Sequence, residues 1–240
     1  MIQKVGIIGD VHSEHQRLLR ALAWLEHQGV DALICTGDIA DGKGCIEQSW
    51  RALHSAGVHT VSGNHDRWLL TEQNRHVRHA HFKSELSEKA LAFLRQLPKV
   101  VRLSTSLGEL RLCHGVAEDD MAKVWPGTES TNIRRSEALD QWLSEPQPPR
   151  FVINGHMHFR TLIDFDNCFL INAGTLKGDW AGITVLDLKA QEVAGFNLLD
   201  DGQVSATRRY RLDDREDRRI WPNTAAFDGR WHPTSMHREA

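Results

Sequence analysis

The chain lacks the features that would tie it to a membrane, an oxidising compartment or a polyanion. Across 240 residues no apolar run approaches the roughly 18 needed to span a bilayer. Four cysteines (Cys35, Cys45, Cys113, Cys168) occur without C-x-x-C spacing, and Cys35 and Cys113 lie in apolar runs where a small buried thiol is expected. Lys and Arg total 29 against 32 Asp and Glu, a net charge of -3, so nothing attracts the whole chain to nucleic acid or an anionic lipid surface. No repeat or long linker divides it, and Pro146-Gln147-Pro148-Pro149 is too short to separate domains. The N-terminus shows no signal-peptide pattern, and a reduced cytoplasm is the expected setting.

What is present is a set of short apolar runs that each end on the same kind of residue. Val5–Gly9 leads to Asp10 and His12, and Leu33–Gly37 to Asp38. Val58–Gly63 leads to Asn64, His65 and Asp66, Leu110–Cys113 to His114, and Phe151–Gly155 to His156 and His158. In open α/β sheets ligands collect outside the carboxyl ends of the strands. Five strands delivering Asp, Asn and His to one edge predict a metal centre and point to a hydrolase. Histidine is abundant, at 14, so spacing and context carry this reading, not any single ring.

Helical periodicity places helices over 14–28, around Ile46, Trp50 and Leu53, and over 87–97 before Pro98. Alternation of these with the first three runs predicts parallel strands with right-handed crossovers. The second half reads as hairpins at 100–113 and 161–171, then a meander through Ile183–Leu188, Val193–Leu198 and Val204–Tyr210. The expected class is a four-layer α/β (α+β) fold, two packed mixed sheets flanked by helices, with the metal site at the strands' carboxyl ends. Residues 1–210 are expected to form the domain and 211–240 a charged, Trp-containing extension. Its run Arg211–Arg219 reads as a solvated face, and Trp221, Phe227 and Trp231 suggest that it lies back on the body.

Taken in order, D-x-H, G-D, G-N-H-D, H-G and G-H-x-H resemble the calcineurin-like metallophosphoesterase superfamily. The motifs here are Asp10 and His12; Gly37-Asp38; Gly63-Asn64-His65-Asp66; His114-Gly115; and Gly155-His156-Met157-His158. The resemblance implies two divalent metal ions, Mn²⁺ first, with Fe or Zn also suited to an oxygen and imidazole set. It implies that Asp10, His12, Asp38 and His158 hold one ion. Asn64, His114 and His156 would hold the other, with Asp38 bridging. It also implies attack by metal-bound hydroxide on a phosphate ester, with His65 protonating the leaving oxygen and Asp41 orienting His65. The substrate class is a small phosphodiester or nucleotide-type molecule. Alternatives are a phosphomonoesterase, a protein or dinucleoside-polyphosphate phosphatase, or a non-catalytic metal-bound scaffold. Membrane and nucleic acid are not expected partners.

One position departs from the family pattern. In the branch that reads G-D-x-V-D-R-G, an arginine contacts substrate phosphate, and here Gly42 stands in its place. Lys43 and Arg67 are the candidate replacements, and Trp68 a candidate stacking surface for the leaving group. His76, His79 and His81 read as a solvated basic face, Asp119 and Asp120 as solvent-facing, and Trp68 and Trp125 as loop residues.

Overall fold

The computed structural model describes residues 1–237, and within them two mixed sheets pack face to face. Strands β1 (Lys4–Ile8), β2 (Ala32–Cys35) and β3 (His59–Thr60) run parallel, joined by α1 (His15–His27) and α2 (Ile46–Ser55). Helices α3 (Asn64–Thr71) and α4 (Glu88–Gln96) lead into a hairpin of β4 (Val100–Thr105) and β5 (Gly108–Cys113). A long loop and α5 (Glu137–Leu143) precede β6 (Phe151–Asn154), β7 (Arg160–Phe165) and β8 (Phe169–Ala173). The chain then returns to the first sheet as the meander β9 (Gly182–Asp187), β10 (Glu192–Leu198) and β11 (Val204–Arg211). Two short strands, β12 (Ile220–Trp221) and β13 (Thr234–Ser235), finish on β7. The strand orders are β11-β10-β9-β1-β2-β3 and β12-β7-β8-β6-β5-β4, with β13 also on β7.

Burial explains why these runs become strands. Val5 and Ile7 of β1 enter a core shared with Leu112, Ile153, Phe169 and Ile171 of the second sheet, while Ile8 joins Leu18, Leu22 and Leu25 beneath α1. A strand buried on both faces must be apolar throughout, so it reads as a continuous run. Helix α4 starts at Ser87, whose hydroxyl accepts the Ala90 N–H, and stops where Leu97 turns extended ahead of Pro98. Among the described residues no helix is long and apolar enough to cross a membrane. All four cysteines are free thiols, and burial pushes those of Cys113 and Cys168 up to about 12.

A third core lies on the outer face of the second sheet. Val152, Ile163 and Leu170 are covered there by Leu139 of α5 and by Trp221, Phe227 and Trp231. The chain after β11 thus packs on the body, as its aromatics suggest. Its charge run, however, is not wholly solvated. Arg218 Nε lies 2.8 Å and Arg215 Nε 3.4 Å from the carboxylate of Asp164, which is buried in β7. Strands β12 and β13 divide the outer edge of β7, pairing at Asp164–Phe165 and Thr161–Leu162. Two helices, α3 and α5, go beyond the sequence reading. Trp68 therefore sits on a helix, not a loop, and its ring lies 4.8 Å from that of His65.

Candidate metal centre

The ends of β1, β2, β5 and β6 and the start of α3 meet at one edge, between the two sheets. Here His12, Asp38, His156 and His158 all adopt left-handed backbone, with φ of +44°, +46°, +63° and +59°. Each such non-glycine residue is strained, and clusters of them mark sites where side-chain placement overrides local preference. Gly155 is needed for close approach, because a β-carbon there would overlap Asp10 Oδ1.

The donor atoms form two neighbouring groups. Ligand atoms of Asp10, His12, Asp38 and His158 all lie within 4.8 Å of one another. His12 directs Nδ1–H at the Asp41 carbonyl, 3.0 Å away, which leaves Nε2 facing His158 Nε2 at 3.1 Å. Beside them, His114 donates Nδ1–H to the Thr36 carbonyl at 2.7 Å, and its Nε2 faces Asn64 Oδ1 at 3.0 Å and Asp38 Oδ2 at 3.4 Å. His156 Nε2 is buried without a hydrogen-bond partner among the described residues. Asp38 Oδ2 is 3.8 Å from His12 Nε2, so this one oxygen faces both groups.

A ring nitrogen lone pair, an amide oxygen and a carboxylate oxygen converging without a donor are reconciled by a cation. Burial holds the His12 and His156 rings neutral, at about 3 and about 4 respectively, helped by the nearby rings of His158 and His114. Burial also drives the Asp38 carboxyl well above its usual range, and the Asp10 charge adds to this. At Asp10 burial pushes upward too, but the surrounding histidines outweigh it and hold that carboxyl low. Neutral imidazoles and two close carboxylates without thiolate are the donor set of a divalent Mn, Fe or Zn ion, so the residues fit the metal.

His65 stands next to this edge. It donates Nδ1–H to Asp41 Oδ2 at 2.7 Å, and its ring meets that of His12 edge-on at 4.9 Å. Asp41 has further partners that sequence reading missed. Arg75 grips both carboxylate oxygens at 2.9 Å, and the His81 N–H donates to Oδ1 at 2.9 Å. Burial alone would raise the Asp41 carboxyl, yet these hydrogen bonds hold it at about 2. His81 is accordingly half-buried and part of this network, whereas His76 and His79 are exposed. Asp66 accepts the N–H groups of Ile39, Ala40 and Gly63, pinning the turn after β2 to the start of α3.

The departure at Gly42 has a steric cause, since a β-carbon there would overlap the His12 carbonyl oxygen. Neither candidate replacement is a free cation at the edge. Arg67 is held by Asp120 through two bonds of 2.6 and 2.8 Å, so Asp120 is an ion-pair partner and not solvent-facing. Lys43 is exposed and lines a cleft of about 440 Å³ with Arg17, Arg78 and Lys177. The Arg75–Asp41 pair offered no short-range signal, because 34 positions separate its members.

The family model described as Calcineurin-like phosphoesterase superfamily domain matches residues 3–191. Among curated proteins none matches the sequence. Among solved structures, a metallophosphoesterase from Sphaerobacter thermophilus is 22% identical with a TM-score of 0.56, covering 89% of this chain and 91% of that one. Yfce, a phosphoesterase from E. coli, is 15% identical with a TM-score of 0.53, covering 87% and 99%. Wild-type Vps29 of Entamoeba histolytica, complexed with zinc, is 16% identical with a TM-score of 0.50, covering 87% and 99%. At these identities the likeness is one of fold.

Proposed function

The chain belongs to the calcineurin-like phosphoesterase superfamily, and from that premise we propose that it is a dinuclear metal-dependent hydrolase of small phosphate esters. The observation that carries this reading is the pair of donor groups sharing Asp38, one with His12 and His158, the other with His114 and Asn64. Asp10, His12, Asp38 and His158 would hold one ion, and Asp38, Asn64, His114 and His156 the second. When bound, the ions supply an activated water and stabilise charge on the phosphoryl oxygens.

The protein's own groups do the rest. Asp41, kept ionised by Arg75, accepts from His65 Nδ1 and so fixes the ring with Nε2 free to face the leaving oxygen. His65 then protonates the departing alkoxide from Nε2. Asp10 and Thr36 brace the edge, the Thr36 hydroxyl donating to Asp10 Oδ1 at 2.7 Å. Arg67 and Arg75 both spend their charge on carboxylates. That supports a diester, which brings one negative charge, over a monoester dianion.

Stripping the protein of metal, restoring Mn²⁺ and comparing kcat/KM on bis-p-nitrophenyl phosphate and p-nitrophenyl phosphate tests this reading. Diester turnover should return with the metal, and His65→Ala should keep its metal content while losing roughly 10²–10⁴ in rate. A monoester preference would move the substrate to the phosphatase class. Metal loading without turnover of either ester would leave the scaffold reading in place.

A further inference from the structure

Beside the metal edge lies a cavity of about 1280 Å³ that the reaction as described does not use. Its inner wall includes Met157 and Phe159, the residues on either side of His158, and its rim includes Lys123, whose charge acts on His156. Its outer wall comes from 229–237, beyond the residues that the family model matches. This segment is held in place by β13 on β7. The cavity is therefore a property of this chain's own C-terminal region.

Its chemistry is two-sided. Lys123, Arg134, Arg208 and Arg230 line it against one carboxylate, Glu129, in a protein whose net charge is negative. That excess of cations suits an anion and disfavours a lipid chain. The other side is aromatic. Trp125 meets Trp231 edge-on at 5.0 Å and faces Phe159 at 6.0 Å, and Phe159, whose ring also lies 5.8 Å from that of His237, is 45% exposed. Thr161 Oγ1 and Arg208 Nε are buried in this wall without a hydrogen-bond partner among the described residues. Small-molecule sites typically enclose roughly 300–1,000 Å³, so there is room for a ligand with both a ring system and an anionic group.

We propose that this cavity is a nucleotide subsite: it takes the base against Phe159 and a phosphate on Arg208 and Arg230, placing the ester to be cleaved at the metal edge. The proposal rests on the phosphoesterase reading for its last clause only, and the nucleotide-binding part stands by itself.

Calorimetric titration of the whole chain with AMP, adenosine and inorganic phosphate, first with Mn²⁺ and then after chelation, tests it. AMP binding should persist after chelation and exceed that of adenosine or phosphate at least tenfold. Phe159→Leu and Arg208→Gln should each weaken AMP about tenfold, the scale of a lost stacked base or charged hydrogen bond, and Phe159→Trp should restore it. Melting curves by circular dichroism establish that the variants fold. AMP binding that disappears with the metal, that phosphate alone matches, or that neither substitution moves would overturn the proposal. So would a single-stranded oligonucleotide binding far more tightly than AMP. Failure of Mn²⁺-dependent hydrolysis of both esters with AMP binding intact would overturn the phosphoesterase reading and leave the nucleotide subsite standing.

Discussion

Around Asp38 the metal edge is assembled from side chains within four positions of a strand end, whereas the cavity beside it gathers residues 123–134, 157–161, 208 and 229–237. The first region is held by backbone: His12, Asp38, His156 and His158 take left-handed conformations, and the N–H groups of Val11, His12 and Ser13 donate to the carbonyls of Gly37, Asp38 and Ile39. The second is held by packing of one segment on another, through Trp125 against Trp231 and through short strands on β7. Chemistry common to a fold sits where the backbone dictates geometry. Selection among ligands sits where later segments can be exchanged without disturbing it.

Four substitutions or conditions would break or sharpen this contrast. The largest effect belongs to Asp38→Asn, because its Oδ2 faces both donor groups. Metal analysis should find loading lost at one or both positions, with turnover reduced about a thousandfold or more. Next is Arg75→Gln, which removes both bonds to the Asp41 carboxylate while leaving every donor atom of the metal edge in place. Turnover should fall about 10–100-fold, and the acidic limb of the pH–rate profile should move to higher pH. The sign follows from Asp41. Its carboxyl sits at about 2 with Arg75 present, so losing that cation raises the pH at which it protonates. An unshifted acidic limb would mean that Asp41 does not act through its charge.

In the segment after β11, Arg218→Ala removes the closer of two cations from buried Asp164 of β7, the strand that also carries Thr161 of the cavity wall. It should cost about 2 kcal/mol, or roughly 4–8 °C in Tm, without changing metal content. Loss of metal from that variant would show that the two regions are coupled. The last condition is acid applied to the metal-free protein. His12 and His156 lie at about 3 and about 4 when folded, against about 6.5 when unfolded. Between about pH 6.5 and 4 the unfolded chain therefore binds more protons, so the stability contributed by the neutral rings is lost as pH falls through that window. A Tm of the chelated protein that stays flat from pH 7 to 5 would contradict this.

The same contrast explains what sequence reading could and could not reach. Strand ends and the Asp, Asn and His residues gathered after them were legible because a doubly buried strand is an apolar run and the residues after it are fixed by the turn. Helices α3 and α5, of eight and seven residues, carry too little periodicity to stand out, although Asp66 accepting the Gly63 N–H is an N-terminal signal in retrospect. Arg75 on Asp41 and Asp120 on Arg67 are pairings across 34 and 53 positions, which no local pattern encodes. Arg215 and Arg218 were hidden inside a mixed-charge run because only the fold reveals Asp164 beneath them.

The outer edge of β7 has a consequence in time. Strands β12 and β13 cover it, but they follow Phe165 by about 55 and 70 residues. At roughly 5–20 residues per second, a ribosome releases the sheet several seconds before the strands that close it. For that interval the nascent chain presents open backbone donors and acceptors along β7, a template for pairing with another chain. The short final strands thus decide how long each newly made molecule is exposed to its neighbours, and co-translational aggregation should respond to them before any mature property does.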